Sequence, residues 1–299
     1  MASFANRRRV VVDGNNIGIA NATQVGHLLN GTLFGFCKTI GMLMKKYPDS
    51  IIQVAWDSKT CWRNDYYPEY KTTRKNDPDP AKKEFFAKYV QQKAKIVTSL
   101  LRFPVVQLEA ENFEADDIAG HVASNGSPGA PVTLVSNDQD WYSLVRDGVD
   151  LFRPKTDLVL NMDNFFSVTK VKDGHDYTKM KAIIGDPGDD IPGIKGIGEG
   201  TASAYLNGTL SGGVKYDKIK DWEFAVEGYQ RSLMLCNIRN PVYPQKYEFK
   251  VNHIPGKYSK EDFSDFIRHY MFKSFDIEKW HSFMSKHQSN LESVYGSKG

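Results

Sequence analysis

Acidic residues recur in this chain in short, widely separated groups. They are Asp13 in Val-Val-Asp-Gly-Asn-Asn, Asp57 in Ala-Trp-Asp-Ser, Glu114, Asp116 and Asp117 in Glu-Ala-Asp-Asp, Asp138 and Asp140 in Ser-Asn-Asp-Gln-Asp, and Asp186, Asp189 and Asp190 in Gly-Asp-Pro-Gly-Asp-Asp. Each group alone has a plain reading. Asp-Gly is a favoured turn pair, Asp116 and Asp117 suit a helix start, Asp138 and Asp140 suit Asx turns, and Asp57 suits a solvated loop. Those readings do not explain acids that converge, because carboxylates packed together repel and protonate unless a cation neutralises them. Carboxylate oxygens are the ligands that magnesium and manganese prefer, and no His or Cys cluster competes for them here. Two such ions roughly 4 Å apart can clamp the attacking and leaving oxygens of an in-line displacement at phosphorus.

Convergence is what the surrounding pattern predicts. Arg9–Val12, Ile51–Trp56, Val105–Leu108, Val132–Val135 and Val149–Phe152 are short, β-branched apolar runs that read as buried strands. Helical patterns lie between them, over Val25–Met44, Pro80–Leu101 and Ala115–Ala123. Strands alternating with helices imply an α/β fold, a mostly parallel, doubly wound central sheet with helices on both faces. Ligands of such sheets bind beyond the carboxyl ends of the strands, where Asp13, Asp57, Glu114, Asp116 and Asp138 fall. In the second helix Phe86, Tyr89, Val90, Val97 and Leu100 share helical spacing and read as a core face with lysines outside.

The formal net charge of the 299 residues is only +3, but the charge is segregated. Ser58–Lys95 holds ten Lys/Arg against five acids, net +5, beside strongly acidic motifs. That arrangement suits a polyanion held over a metal site. Forty per cent hydrophobic residues is ordinary globular composition, and no apolar run approaches the roughly 20 residues needed to cross a bilayer. Arg7, Arg8 and Arg9 precede an apolar stretch that Asp13 stops at once, which is a strand start rather than a signal peptide. Cys37, Cys61 and Cys236 read as scattered reduced thiols of a cytoplasmic protein.

The strand signal fades after about Asp163. Residues 1–165 are expected to form the α/β domain, with a basic segment over about 60–95, and residues 166–299 a mainly helical lobe. In that lobe Gly193, Gly196, Gly198 and Gly200 surround Lys195 and lead into a helix at Thr201–Leu206. With a preceding helix near Tyr177–Ile184, about 176–207 reads as a helix-hairpin-helix motif that grips a DNA backbone through exposed amides. Ser124–Pro131 and Asn207–Gly213 are expected surface loops, and Tyr295–Gly299 an expected frayed end.

In order, these motifs resemble the 5′ nuclease family: flap endonucleases, the 5′ nuclease domain of bacterial DNA polymerases, and bacteriophage 5′→3′ exonucleases. The resemblance covers residues 9–206. It rests on the blocks above together with Trp-Arg-Asn-Asp-Tyr-Tyr-Pro-Glu-Tyr-Lys-Thr-Thr-Arg and Gly-Asp-x-x-Asp-Asp-Ile-Pro-Gly-Ile-x-Gly-Ile-Gly. Length and compactness look most like a free-standing bacteriophage enzyme. The resemblance implies that Asp13, Asp57, Glu114 and Asp116 surround one ion and Asp138, Asp140, Asp186 and Asp189 the other, with Asp117 supporting the cluster and Asp190 ranked lower. Magnesium is the implied ion, manganese its substitute, and potassium a further ion at the hairpin. Lys71 and Arg74 look like the basic pair that steers the scissile phosphate, and Tyr70 a stacking partner for a displaced base. Thr60–Lys88 resembles the family's arch over a single-stranded 5′ end. There Arg63, Lys71, Arg74, Lys75, Lys82 and Lys83 interleave with aromatic side chains, a recipe for single strands. Asn76–Pro80 interrupts any helix within it.

The expected activity is a metal-dependent 5′→3′ exonuclease and 5′ flap endonuclease of replication or repair. Its substrates are DNA 5′ ends, flaps, nicks and branched duplexes, and RNA primers in RNA–DNA hybrids. The expected protein is a monomer in the host cytoplasm, without a membrane partner. A compact PIN-type ribonuclease shares the acidic rim, but the hairpin and basic arch argue against it. A non-catalytic DNA-binding relative would have lost several of the acids. Val214–Gly299 carries no evident chemistry.

Overall fold

The computed structural model describes residues 7–125, 129–224, 226–239 and 243–296. Five parallel strands form the centre of the sheet: β1 (Arg9–Asp13), β2 (Ile51–Ala55), β3 (Val106–Glu109), β4 (Val132–Val135) and β5 (Val149–Arg153). Antiparallel edges close it, β6 (Leu158–Leu160) against β5 and β7 (Asn252–Pro255) against β3, in the order β6-β5-β4-β1-β2-β3-β7. The chain runs outward from β1 to β3 and then returns to place β4 on the other side of β1. The order therefore reverses between β1 and β4, the crevice where open α/β sheets bind ligands.

Side chains of β1 alternate between the two layers. Val11 enters one core with Leu108, Leu134 and α6 (Ala115–Ser124), and Val10 and Val12 enter the other with α2 (Gly31–Lys46). The expected helix over Val25–Met44 corresponds to α2, which starts only at Gly31, and a further helix precedes it. α1 (Gly14–Val25) starts directly after β1, because Asp13 caps the Asn16 amide, and a turn at 26–30 leads into α2. The basic segment holds α3 (Trp62–Tyr66), α4 (Thr72–Lys75) and α5 (Pro80–Leu100). Asn76–Asp79 breaks the helix as expected, and Asp79 caps α5 with Pro80 in its first turn. The core-face reading of α5 needs correction. Only Tyr89, Ile96, Ser99 and Leu100 are buried, whereas Phe86 is 41% and Val90 63% exposed. The amino-terminal half of α5 stands off the sheet.

Beyond β6 come α7 (Phe165–Thr169), α8 (Gly174–Ile184), α9 (Glu199–Leu206), α10 (Val214–Phe224), α11 (Arg231–Cys236), α12 (Lys260–Tyr270) and α13 (Ile277–Tyr295). The boundary at 165/166 also needs correction. β7 pairs with β3, and Phe263, Phe266, Trp280 and Met284 join Phe36, Ile40 and Phe103 in a single core. The last stretch thus returns to the sheet, for burying an aromatic face against α2 and α5 removes more apolar surface from water than a separate lobe would. Of the expected frayed end, Tyr295 closes α13, while 297–299, like 126–128 of the expected loop, lie outside the described residues. Among the described residues no helix is long and apolar enough to cross a membrane.

Candidate active site

Strand register brings the acids together. Asp13 ends β1 opposite Ala55, so Asp57 lies two residues past the end of the neighbouring strand. Val12 pairs with Val135, which sets Ser136 beside Asp13 and Asp138 just past it. Glu114 and Asp116 come from the start of α6. Asp13, Asp57, Glu114, Asp116 and Asp138 line one cavity of about 800 Å³ with Lys71 and Arg74. Its opposite wall is α5, through Phe86, Val90, Lys93 and Val97.

Neutral donors hold several of these carboxylates in place. The Ser136 hydroxyl donates to Asp13 at 2.8 Å, and the Asn16 amide at 2.9 Å. The Ala115 amide donates to Asp57 at 2.8 Å, joined by the Asn15 side chain, and the Trp141 indole N–H donates to Asp116 at 2.7 Å. Charge compensation is incomplete. Burial, then repulsion from Asp57, pushes the Asp13 carboxyl up to about 7. Burial and Asp140 raise Asp138 to about 6, and burial with Asp138 and Asp13 lifts Asp116 well above the carboxylate range. Acids raised by one another's charge form the donor set that a divalent cation fits. Among the described residues no three His, Cys, Asp or Glu side chains close into a ready-made metal cage. The acids face a shared volume instead, which suits a hard divalent cation that keeps part of its water shell.

Glu114 differs. Burial would raise it, but Lys71 and Arg63 outweigh that and hold it at about 2. The Lys71 ammonium donates to Glu114 at 2.6 Å and lies 3.5 Å from Asp189, and Arg74 is also 3.5 Å from Asp189. The segment carrying these cations is pinned to the loop after α8. The Lys71 amide donates to the Asp189 carbonyl at 3.0 Å, and the Thr73 amide and hydroxyl donate to Asp190 at 2.8 and 2.7 Å.

Three expected roles are corrected here. Arg63 cannot meet nucleic acid: it is 1% exposed, gripping Asp117 through two 2.8 Å hydrogen bonds and Glu114 through one of 3.2 Å. Asp117 is fully buried in that pair and unavailable as a metal ligand. Tyr70 is buried with its hydroxyl donating to Glu114 at 2.9 Å, so its ring stacks on no base. A buried carboxylate at a helix start needs a buried cation, and Arg63 supplies it.

Asp140 and Asp186 lie off the cavity wall and share a residue the sequence reading missed. Lys181 of α8 donates to Asp186 at 2.6 Å and lies 2.9 Å from Asp140. Its place one turn before the Gly-Asp motif was the available signal. Ser136, Asn15 and Asn16 lie inside the acidic motifs themselves, and their adjacency to Asp138 and Asp13 was the signal for them. Lys75, Lys82 and Lys83 surround Phe86 with Arg74 in an adjoining cavity of about 470 Å³. At the hairpin, Gly185 (φ +74°) and Gly193 meet so closely that a Cβ on either would strike backbone, while Lys195, Gly196 and Gly198 are exposed before α9.

A comparison with known families matches residues 13–173 to the 5′-3′ exonuclease N-terminal, resolvase-like domain. The chain belongs to the 5′-3′ exonuclease family. Among its relatives is a flap endonuclease of Escherichia phage T5, 30% identical over 208 residues that cover 66% of this chain and 69% of that protein. A 5′-3′ exonuclease of Buchnera aphidicola is 25% identical over 249 residues, 80% of this chain and 81% of that one. DNA polymerase I of Caldicellulosiruptor bescii is 27% identical over 210 residues, 66% of this chain but 24% of the polymerase. The chain thus spans about a quarter of the length of the polymerases it matches. Two solved structures of the exonuclease family's fold also resemble it. They are bacteriophage T5 flap endonuclease in complex with DNA and metal ions (TM-score 0.67, 21% identity, 96% of this chain and 100% of that one) and flap endonuclease-1 from Methanococcus jannaschii (0.57, 15%, 97% and 95%). At these identities the likeness establishes the 5′ nuclease fold.

Proposed function

We propose that this 5′-3′ exonuclease family member hydrolyses phosphodiesters at DNA 5′ ends and 5′ flaps, with divalent cations held by Asp13, Asp57, Glu114, Asp116 and Asp138 and, on the far side, by Asp140, Asp186 and Asp189. One observation carries the reading: five acids, three at or just past the ends of β1, β2 and β4 and two at the start of α6, line the same cavity as Lys71 and Arg74. The relatives named flap endonuclease and 5′-3′ exonuclease support it, as does the T5 structure with DNA and metal ions. When bound, divalent ions supply Lewis acidity toward the phosphodiester and a counter-charge for its oxygens.

The chain's own residues do the rest. Ser136, Asn16, Asn15, Trp141 and the Ala115 amide orient the carboxylates. Lys71 and Arg74 face the same cavity, where they offset charge developing on the phosphoryl oxygens. Phe86, Val90 and Val97 give an apolar wall for the nucleotide, with Lys93 beside it. Lys75, Lys82 and Lys83 take the backbone of the 5′ strand, and Lys195 with the amides of Gly193, Gly196 and Gly198 takes the duplex. We assign magnesium as the working ion, manganese as its substitute, potassium to the hairpin, RNA–DNA hybrids as a second substrate and a monomer as the working state.

The test is a 5′-flap duplex and an RNA–DNA hybrid, each labelled at either end and incubated with and without magnesium. Short products released from the 5′ end only in magnesium are expected. Cleavage from the 3′ end, or undiminished cutting in EDTA, would overturn the reading.

A further inference from the structure

The two sides of the acidic site differ in what already neutralises them. Among the described residues, Asp13, Asp57, Asp116 and Asp138 form no ion pair within 4.0 Å, Glu114 beside them being the exception through Lys71 and Arg63; the nearest hydrogen-bond partners of the four are hydroxyl, amide and indole groups. Asp140 and Asp186 come from separate elements, yet one ammonium joins them: Lys181 Nζ lies 2.9 Å from Asp140 and 2.6 Å from Asp186. The Lys181 side chain is largely shielded, and its backbone carbonyl accepts the Gly185 amide at the end of α8. Asp186 is braced too, by the Gly188 amide at 2.8 Å and by backbone bonds to Ile191 in both directions at 2.9 Å. A compact ammonium therefore occupies the point from which an ion would bridge these two carboxylates.

We propose that Lys181 acts as a resident cation on the Asp140–Asp186 side, so that divalent ions fill the site in order. The first enters tightly among Asp13, Asp57, Asp116 and Asp138, and the second enters only as Lys181 releases its carboxylates. The proposal rests on the metal reading above. An ammonium and a divalent ion sharing one carboxylate pair repel at close range, in a shielded setting where charge interactions are several times stronger than in water. The second ion is thereby disfavoured until a substrate phosphate adds oxygen ligands, the usual way magnesium completes its shell. Lys181 is a positioning residue in this scheme, touching acids rather than substrate.

The test is metal binding without DNA, read by calorimetry and by the electron paramagnetic resonance of free manganese on the metal-stripped full chain. Wild type should bind one manganese ion tightly and a second at least about tenfold more weakly. In Lys181→Met the second affinity should rise about tenfold while the first changes little, and Lys181→Gln should behave likewise. Equal affinities in wild type, or an unchanged second affinity in folded Lys181→Met, would overturn the proposal. Absence of any manganese binding to wild type would instead sink the metal reading itself. Should both variants fail to fold, the wild type still decides. The Lys181 ammonium resonance in ¹⁵N-lysine protein should persist through the first equivalent of magnesium and shift or vanish during the second, whereas persistence to saturation contradicts displacement.

Discussion

Glu114 and Asp13 face the same cavity, yet one carboxyl sits at about 2 and the other at about 7. Burial raises both. Lys71 and Arg63 override it for Glu114, while Asp57 adds to it for Asp13. This gives the metal-free protein an unusual pH response. A carboxyl raised in the folded state holds a proton that the unfolded chain has lost, so stability falls as pH rises across the gap. For Asp13 the gap runs from 3.8 to about 7, and for Asp138 to about 6. In EDTA the melting temperature should therefore fall from about pH 4 towards neutrality, and saturating magnesium should flatten that slope and release protons on binding. A melting temperature that climbs over this window in EDTA would mean the acids are compensated by something else. Ser136 gives a second residue-level prediction. Its hydroxyl orients Asp13 without touching substrate, so Ser136→Ala should cost about 10–100-fold in metal affinity, measured by calorimetry, with the fold intact. Asp116→Asn should remove cleavage while 5′-flap binding, read by fluorescence anisotropy, stays measurable.

Among the elements, the one that most shapes the site is the segment from α3 to α5, and it does so by leaning on the loop after α8. The Lys71 amide, Thr73 and Arg74 all engage Asp189 or Asp190. Asp190 thus braces the segment that carries Lys71 and Arg74. Asp190→Ala should lower the cleavage rate severalfold and speed amide exchange at Thr73, while manganese affinity measured without DNA stays unchanged; equal loss of metal would return Asp190 to the ligand set. Strands β1 to β5 were legible in the sequence because short, β-branched apolar runs between helical patterns have few other uses. The same pattern misled at α5, where helical spacing is identical whether the apolar face meets a core or an open cavity. Edge strands β6 and β7 escaped because Leu158–Leu160 is three residues long and Asn252–Pro255 is exposed throughout. The acids were legible as types and positions, but Arg63 and Tyr70 were not, since nothing in a linear motif distinguishes a cation facing solvent from one clamped on a buried Asp117.

On the scale of the whole molecule, the question is what the last fifty residues do for a site that they do not touch. β7 covers the free edge of β3, which would otherwise offer unpaired backbone groups to other chains. α12 and α13 then lay an aromatic cluster under α2 and α5. Trp280 stacks on Phe275 at 4.5 Å, meets Phe263 at 5.4 Å and Phe103 at 6.2 Å, and lies so close to Gly41 that a Cβ there would strike its ring. Phe103 follows α5, so this cluster anchors the buried end of the helix whose other end forms the cavity wall. If that anchoring is its whole purpose, Trp280→Ala should destabilise the chain by about 3–5 kcal/mol, the range for a large aromatic removed from a packed core. Cleavage well below the melting temperature should then keep its kcat, because the strand ends that carry the acids do not move. Urea unfolding followed by α5 amide exchange separates the cases. Opening confined to the carboxyl half of α5 fits an anchor, whereas a fall in kcat without a fall in stability would show that the cluster transmits position to the cavity.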